Sequence, residues 1–552
     1  MLKQTKQRIS LAAISILIII TLASAGDRYF NLSRQMDVFG ALFKSINSLY
    51  VDGVEPSKLM RSCIDAMLKQ LDPYTVFYSG SQIENSRIDG SEKLTGIGIH
   101  YEVMDKIPTI TELIKDLSAD KAGLKIGDKI LEIDGVSTLD KSYDDIGKAL
   151  KGQAESNISF KVQLIDGAVK QFNIKRMEFH ETNVPFYGML NRNIGFISLK
   201  IFNPNAGKDV KEAFEDLKKK NPDMNGLILD LRGNPGGLLT EAVNIVNVFI
   251  EKNKLVVTTK GKVKEWNATF NTLNEAVDTK IPVVVITNSK SASASEIVSG
   301  ALQDYDRAVI VGHKTYGKGL VQITKNLSYG TGLKVTTAKY YIPSGRCIQA
   351  INYAERNQDG SVKKIPDSLK HEFKTAVGRK VYDGGGVDPD LTLSESEHAA
   401  VANELLKQHL IFDYATKYCS THNNIDSSNK FKITDIDFQD FIAFVNAKKF
   451  TYKSETEKVL DKIKETASEE KYFEAIQSNY KNALKEIETT KQSEIVTQRA
   501  EISALIESEI CNRFFYTKGK IEKSLQSDPW VIKSIEILNS SKIYNDFLVS
   551  KK

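Results

Sequence analysis

The chain has 552 residues, 41% apolar and 26% charged, with 34 Gly, 12 Pro, 4 Cys and 2 Trp. That composition excludes wholesale disorder, a collagen-like repeat and a disulfide-dense mini-scaffold. Of its formal charge of +5, Lys3, Lys6 and Arg8 supply three, so the remainder holds 72 Lys+Arg against 70 Asp+Glu; no basic face stands out, and no nucleic-acid partner is expected.

Residues 1–25 read as a secretory signal. A short basic start precedes the apolar run Ile9 to Leu22, and Ala23-Ser24-Ala25 then gives an A-x-A cleavage pattern. The run is short of the ~20 residues a spanning helix needs, with an uncleaved membrane anchor as the other reading. Either way the bulk of the chain is expected outside the cytoplasm, periplasmic or anchored to the inner membrane.

Residues 27–90 carry helical periodicity (Val38, Leu42, Ile46 and Leu49, then Leu59, Cys63, Met67 and Leu71), which Asp72-Pro73 ends. Over 93–178 the pattern changes to short β runs punctuated by Gly. In 181–390, strands expected at Ile194–Lys200, Gly226–Leu231, Val283–Thr287 and Ala308–Val311 alternate with helices at Ala206–Lys219, Leu238–Phe249 and Ala294–Gln303. Such alternation argues for a βαβ-type, largely parallel sheet. Leu333 to Ile342 reads as another strand.

Residues 391–552 contain one Gly (Gly519) and one Pro (Pro529), with Phe438, Phe441, Ile442 and Val445 at helical spacing. This predicts an all-helical C-terminal domain whose charged runs are solvated faces, and in which Phe514-Phe515-Tyr516 is a packing face. The expected fold is a multidomain α+β chain: an α/β core, an inserted β domain, a helical N-terminal region and the helical C-terminal domain. The four cysteines, Cys63, Cys347, Cys419 and Cys511, are widely spaced and match no zinc pattern; pairing and free thiols both stay open.

The chemistry concentrates in residues 288–322, where a strand runs through a small-residue turn into a helix. Ser291, Ser293 or Ser295 lies near that helix's amino end, where unpaired N–H groups and the dipole favour developing negative charge. An acyl-transfer nucleophile needs that; a plain Ser N-cap looks the same. Thr315-Tyr316-Gly317-Lys318-Gly319 encloses a lysine between glycines, and a lysine acts as a base only when neutral, which burial favours. Gln322, four residues on, offers an uncharged amide to orient it.

S-A-S-A-S-E-I (291–297), T-Y-G-K-G-L-V-Q (315–322) and D-L-R-G-N-P-G-G (Asp230–Gly237) together resemble the carboxyl-terminal processing peptidases, exported serine proteases with a Ser/Lys dyad. The resemblance covers roughly residues 30–390. It implies Ser293 as nucleophile, Lys318 as general base and Gln322 as the residue orienting the lysine; the 25-residue gap from Ser293 to Lys318 fits the family's pattern, which implies Ser293 over Ser291 and Ser295. An oxyanion hole would use the N–H of Ala294 with that of Gly236 or Gly237. Thr95-Gly96-Ile97-Gly98-Ile99 is similar to the carboxylate-binding loop of a PDZ domain, and residues 121–135 to its second half, although Leu117-Ser118-Ala119-Asp120 replaces the common G-S-P-A. The implied activity is endoproteolysis through an acyl-enzyme, on protein substrates whose apolar C-terminal tails the PDZ domain captures. No metal or organic cofactor is implied. An adaptor or regulatory partner and a homo-oligomer are compatible with it. A catalytically silent peptide-binding protein on the same scaffold is the alternative.

Other patterns fail. The seven His show no metal spacing; His313 lacks the Asp a catalytic triad requires; and Ser478-Asn479-Tyr480-Lys481 has no K-T-G strand to match its S-x-x-K.

Overall fold

The computed structural model describes residues 29–79, 94–357, 361–394 and 398–549. The signal or anchor expected at 1–25, and residues 80–90 of the N-terminal helical region, lie outside the described residues. Two compact units are present: residues to 80 with 324–335, and 81–323 with 336–552. In the first, helices cover 29–49 and Pro56–Lys69, and Val76–Tyr78 pairs antiparallel with residues 332–334. Asp72 closes the second helix's exit by accepting the N–H groups of Tyr74 and Thr75 at 2.9 and 3.0 Å. The face predicted for the first helix is not a core: Val38, Leu42 and Leu49 are exposed.

The second unit is built on a six-stranded sheet in the order Phe186–Met189, Ile194–Ser198, Gly226–Asp230, Val283–Thr287, Val309–Gly312 and Leu391–Thr392, parallel except for its first pair. The central strands are apolar without a break because both faces are covered. Leu227, Leu229, Val283 and Val285 face one layer, the helices Ala206–Lys220, Leu239–Phe249 and Ala294–Asp304. Their neighbours Ile228, Val284 and Ile286 face the other way, onto Trp530, Val531, Leu538 and Tyr544.

Residues 391–552 hold the expected C-terminal helical domain, but they are not all-helical. Leu391–Thr392 is an edge strand of the core sheet, and the helices Pro529–Leu538 and Ser541–Leu548 cover its second face. The reason is elementary: a parallel sheet must be buried on both sides. Between these parts, helices from Ala400–Lys407 to Arg499–Ser524 bury their own cluster around Tyr414, Phe438, Phe441 and Ile506.

The β domain is an antiparallel sheet in the order Ile99–Met104, Ile107–Leu113, Lys129–Ile133, Asn157–Gln163 and Val169–Lys175, with helices Ser118–Lys121 and Tyr143–Leu150. The strand Leu94–Gly96 pairs with Met177–Phe179 where the domain enters and leaves. All four cysteines are free thiols.

Candidate active site

Three loops meet at the carboxyl ends of the central strands, where open α/β sheets hold their ligands. They are stitched together by buried polar groups. Ser291 Oγ donates to Leu231 O (2.8 Å) and accepts from Asn288 N (2.9 Å). Ser295 Oγ donates to Asn234 O (3.0 Å), which also accepts Ala292 N (3.0 Å). Both hydroxyls are fully buried, so each holds a loop. Ser293 is the one serine of the three that is not buried.

Ser293 stands between the strand Val283–Thr287 and the helix Ala294–Asp304 with φ 57° and ψ −113°. A non-glycine residue at such an angle costs about 1–3 kcal/mol, and such strain gathers at functional sites. Gly236 makes the turn possible. It has φ +99°, and a Cβ there would lie 2.7 Å from Ala292 O, 2.8 Å from Ser293 Cβ and 2.9 Å from Ala294 N. Its own N–H is taken by Asn234 Oδ1 at 2.9 Å. Among the described residues, the N–H groups of Gly237 and Ala294 meet no acceptor.

Lys318, half-buried, follows the strand Val309–Gly312 and precedes the strand Leu320–Asn326. Its flanking glycines are dictated by close approach: a Cβ at Gly317 would come to 2.3 Å from Ala350 Cβ, and one at Gly319 to 2.8 Å from Gln349 N.

Sequence reasoning passed over Glu296. Its carboxylate is fully buried and accepts four hydrogen bonds. Oε1 takes Thr315 Oγ1 (2.6 Å) and Gly317 N (2.7 Å). Oε2 takes Ser293 N (2.8 Å) and Lys318 N (2.9 Å). Burial pushes the carboxyl up to about 7, and the donors offset that only in part. Tyr340 was missed as well: its buried hydroxyl lies against the carbonyls of both Ser293 and Lys318. Glu296 left one signal, its place three residues after a helix N-cap, which reads as an ordinary capping glutamate; Tyr340 left none.

Gln322 lies half-buried on the strand after Lys318 and donates from Nε2 to Thr336 Oγ1 at 3.2 Å. The ring of His313 turns toward the backbone, Nδ1 3.3 Å from Lys314 O.

In the β domain, the carbonyls of Ile97 and Gly98 accept Ala119 N and Ile114 N, each at 2.9 Å. A trans peptide points its N–H opposite to its C=O, so the next two N–H groups turn away from those partners. Thr95 and Gly96 belong instead to the paired strand at the domain's neck. Ile99–Met104 is an edge strand beside the helix Tyr143–Leu150; Tyr101 stacks on Tyr143 with centroids 4.8 Å apart and donates to its carbonyl at 2.9 Å.

Comparison with known proteins identifies the domains. The chain matches peptidase family S41 over residues 193–355, a PDZ domain over 109–164, and the C-terminal helical domain of probable PDZ-proteases over 401–538. The probable CtpA-like serine protease of Staphylococcus haemolyticus is 35% identical over 409 residues, 70% of this chain and 81% of that one. The carboxy-terminal-processing protease of Bartonella bacilliformis is 33% identical over 325 residues, 58% of this chain and 74% of that one. Among solved structures, a photosystem II D1 C-terminal processing protease aligns over 65% of this chain and 93% of its own, with 24% identity and a TM-score of 0.36. A serine-type peptidase core with a PDZ domain defines the class. The chain belongs to the carboxyl-terminal processing peptidase family.

Proposed function

We propose that the protein is an exported endopeptidase that takes protein substrates by their apolar C-terminal tails and cleaves them with Ser293 and Lys318. One observation carries this reading. Of the three candidate serines only Ser293 escapes burial, and its backbone N–H and that of Lys318 are held on one carboxylate oxygen.

The chemistry follows from those positions. The neutral amine of Lys318 takes the Ser293 hydroxyl proton as Oγ bonds to the scissile carbonyl carbon. The resulting oxyanion is received by the N–H groups of Ala294 and Gly237, which meet no acceptor among the described residues; Gly236 is spent on Asn234. The lysine then returns its proton to the leaving amine, the C–N bond breaks, and Ser293 carries the acyl group as an ester. Water, deprotonated by the same amine, releases it. Gln322, with its nitrogen engaged by Thr336, presents its oxygen to orient the lysine.

The substrate's terminal carboxylate is received by the N–H groups of Gly98 and Ile99, and its tail adds as a strand along Ile99–Met104. The basic and then apolar order of residues 1–25 supports export. The test is to trap the intermediate: acid quenching during turnover of a tail-bearing substrate, then peptide mass mapping. An acyl adduct on the peptide holding Ser293 is expected. Its absence from wild type during active turnover would refute the acyl-enzyme route.

A further inference from the structure

The loop that carries Lys318 is gripped on both sides of the lysine. Before it, Gly317 N and Lys318 N donate to the two oxygens of Glu296. After it, Gly319 N donates to Oε1 of Gln349 at 2.8 Å. Gln349 is 4% exposed, and its other amide atom is engaged as well: Nε2 donates to Ile351 O at 2.9 Å. With both ends committed the amide cannot turn over, because that would set its NH2 group against the Gly319 N–H. Ala350, next in the chain, adds a main-chain bond from its N–H to Gly317 O at 2.9 Å.

The two glycines make this grip necessary. Neither has a side chain whose packing fixes its dihedrals, and glycine samples the widest range of them. The gripping stretch itself excludes anything larger, since a Cβ at Gly317 would meet Ala350 and one at Gly319 would meet Gln349. The peptides flanking Lys318 therefore take their orientation from hydrogen bonds. Those bonds set the direction in which the Cα–Cβ bond of the lysine leaves the loop.

Gln349 is in turn anchored on the helix that begins at Ser293. Three residues before it, Arg346 is 1% exposed; its Nη2 donates to Gln303 Oε1 at 2.8 Å and pairs with Asp304 Oδ1 at 2.9 Å. Ser344 N donates to the other oxygen of Asp304 at 2.9 Å. Gln303 and Asp304 end the helix Ala294–Asp304, whose N-cap is Ser293. Residues 344–350 thus form a strap from the far end of that helix to the glycines around Lys318. Along the way Cys347 O and Ile348 O accept Gly384 N and Gly386 N at 3.0 and 2.8 Å. Leaving either member of a buried ion pair alone is strongly unfavourable, which holds this end of the strap in place.

We propose that Gln349 is a positioning residue for Lys318: its amide oxygen fixes the peptide that follows the lysine and so aims the amine at Ser293. This rests on the protease reading above. A neutral amide suits the task. A carboxylate in its place would also accept Gly319 N, but its charge would favour the protonated lysine, which cannot take a proton.

The test is cleavage of a reporter protein with an apolar C-terminal tail by the full chain carrying Gln349→Met or Gln349→Glu, measured across the acid limb of the pH profile. Thermal melts give the folded fraction, so that kcat is expressed per folded molecule. Gln349→Met keeps the length and removes the acceptor. A misplacement on the order of 1 Å costs about 100-fold, so kcat is expected to fall about 10–100-fold with KM within about twofold of wild type. Gln349→Glu restores the acceptor. Its kcat at alkaline pH is expected to return to within about tenfold of wild type, with the acid limb moved by about one pH unit or more to the alkaline side. A merely structural role would lower the melting temperature and leave kcat per folded molecule and the acid limb in place. A wild-type kcat in Gln349→Met, or a Gln349→Glu enzyme as slow as Gln349→Met at every pH, overturns the proposal. Absence of Ser293-dependent cleavage in wild type overturns instead the protease reading on which it rests.

Discussion

Ser293 and Lys318, 25 residues apart in the chain, give their backbone N–H groups to the same oxygen, Oε2 of Glu296, at 2.8 and 2.9 Å. The register of Ser293 against Lys318, the proposed nucleophile and base, is thereby fixed through the main chain. Tyr340 repeats the device on the carbonyl side.

Glu296→Gln keeps the shape but replaces one acceptor with a donor facing N–H groups. A misplacement on the order of 1 Å costs about 100-fold in rate, so kcat is expected to fall by about that factor with KM little changed. A wild-type kcat in this variant would remove the clamp from the account.

Glu296 also gives pH dependences of opposite sign. Its folded value of about 7 lies above the ordinary 4.5, so its contribution to stability is fully present below about 4.5 and lost as pH rises through about 7. Activity runs the other way, because a protonated carboxyl gives up acceptor capacity that four donors need. Thermal melts and kcat measured from pH 5 to 8 on wild type and Glu296→Gln check this. The stability gap between the two proteins is expected to change across that window.

Gly236→Ala puts a methyl group 2.8 Å from Ser293 Cβ at a φ of +99°. Loss of one oxyanion donor costs about 10²–10³ in kcat, and distortion of this loop is expected to cost at least the lower figure. Steady-state kinetics on a soluble, folded variant decide it.

Amidating the substrate's C-terminus removes the charge that the N–H groups of Gly98 and Ile99 would receive. Hydrogen bonds to charged groups contribute about 1.5–3 kcal/mol, so KM is expected to rise by roughly 10–100-fold with kcat less affected. Equal KM values for the acid and the amide would exclude the loop as the tail site.

Ending the chain after Ser524 strips one face of the central sheet. Trp530 is 6% exposed and Trp266 50%, so Trp530 reports that face by fluorescence in the intact protein. Trp530→Ala is expected to cost about 3–5 kcal/mol in chemical denaturation, and the truncated chain to be insoluble. A soluble, active truncation would contradict the two-layer core.

The core strands and helices were legible because their periodicity is set by local burial: those expected at Gly226–Leu231, Val283–Thr287 and Ala294–Gln303 are observed at Gly226–Asp230, Val283–Thr287 and Ala294–Asp304. Ser293, Lys318 and Gln322 were legible as motif members. Their geometry was not, because Glu296 looks like any capping glutamate and Tyr340 comes from a strand far along the chain. The covering of the sheet by Trp530 and Tyr544 was illegible too: an apolar stripe shows that a helix packs, not what it packs on.

The most direct test of the central claim is cleavage of an unfolded reporter protein with an apolar C-terminal tail by the full chain, beside Ser293→Ala and Lys318→Ala. The account predicts that each variant loses at least about 10³-fold in rate while both stay folded. A Ser293→Ala enzyme within about tenfold of wild type would contradict it.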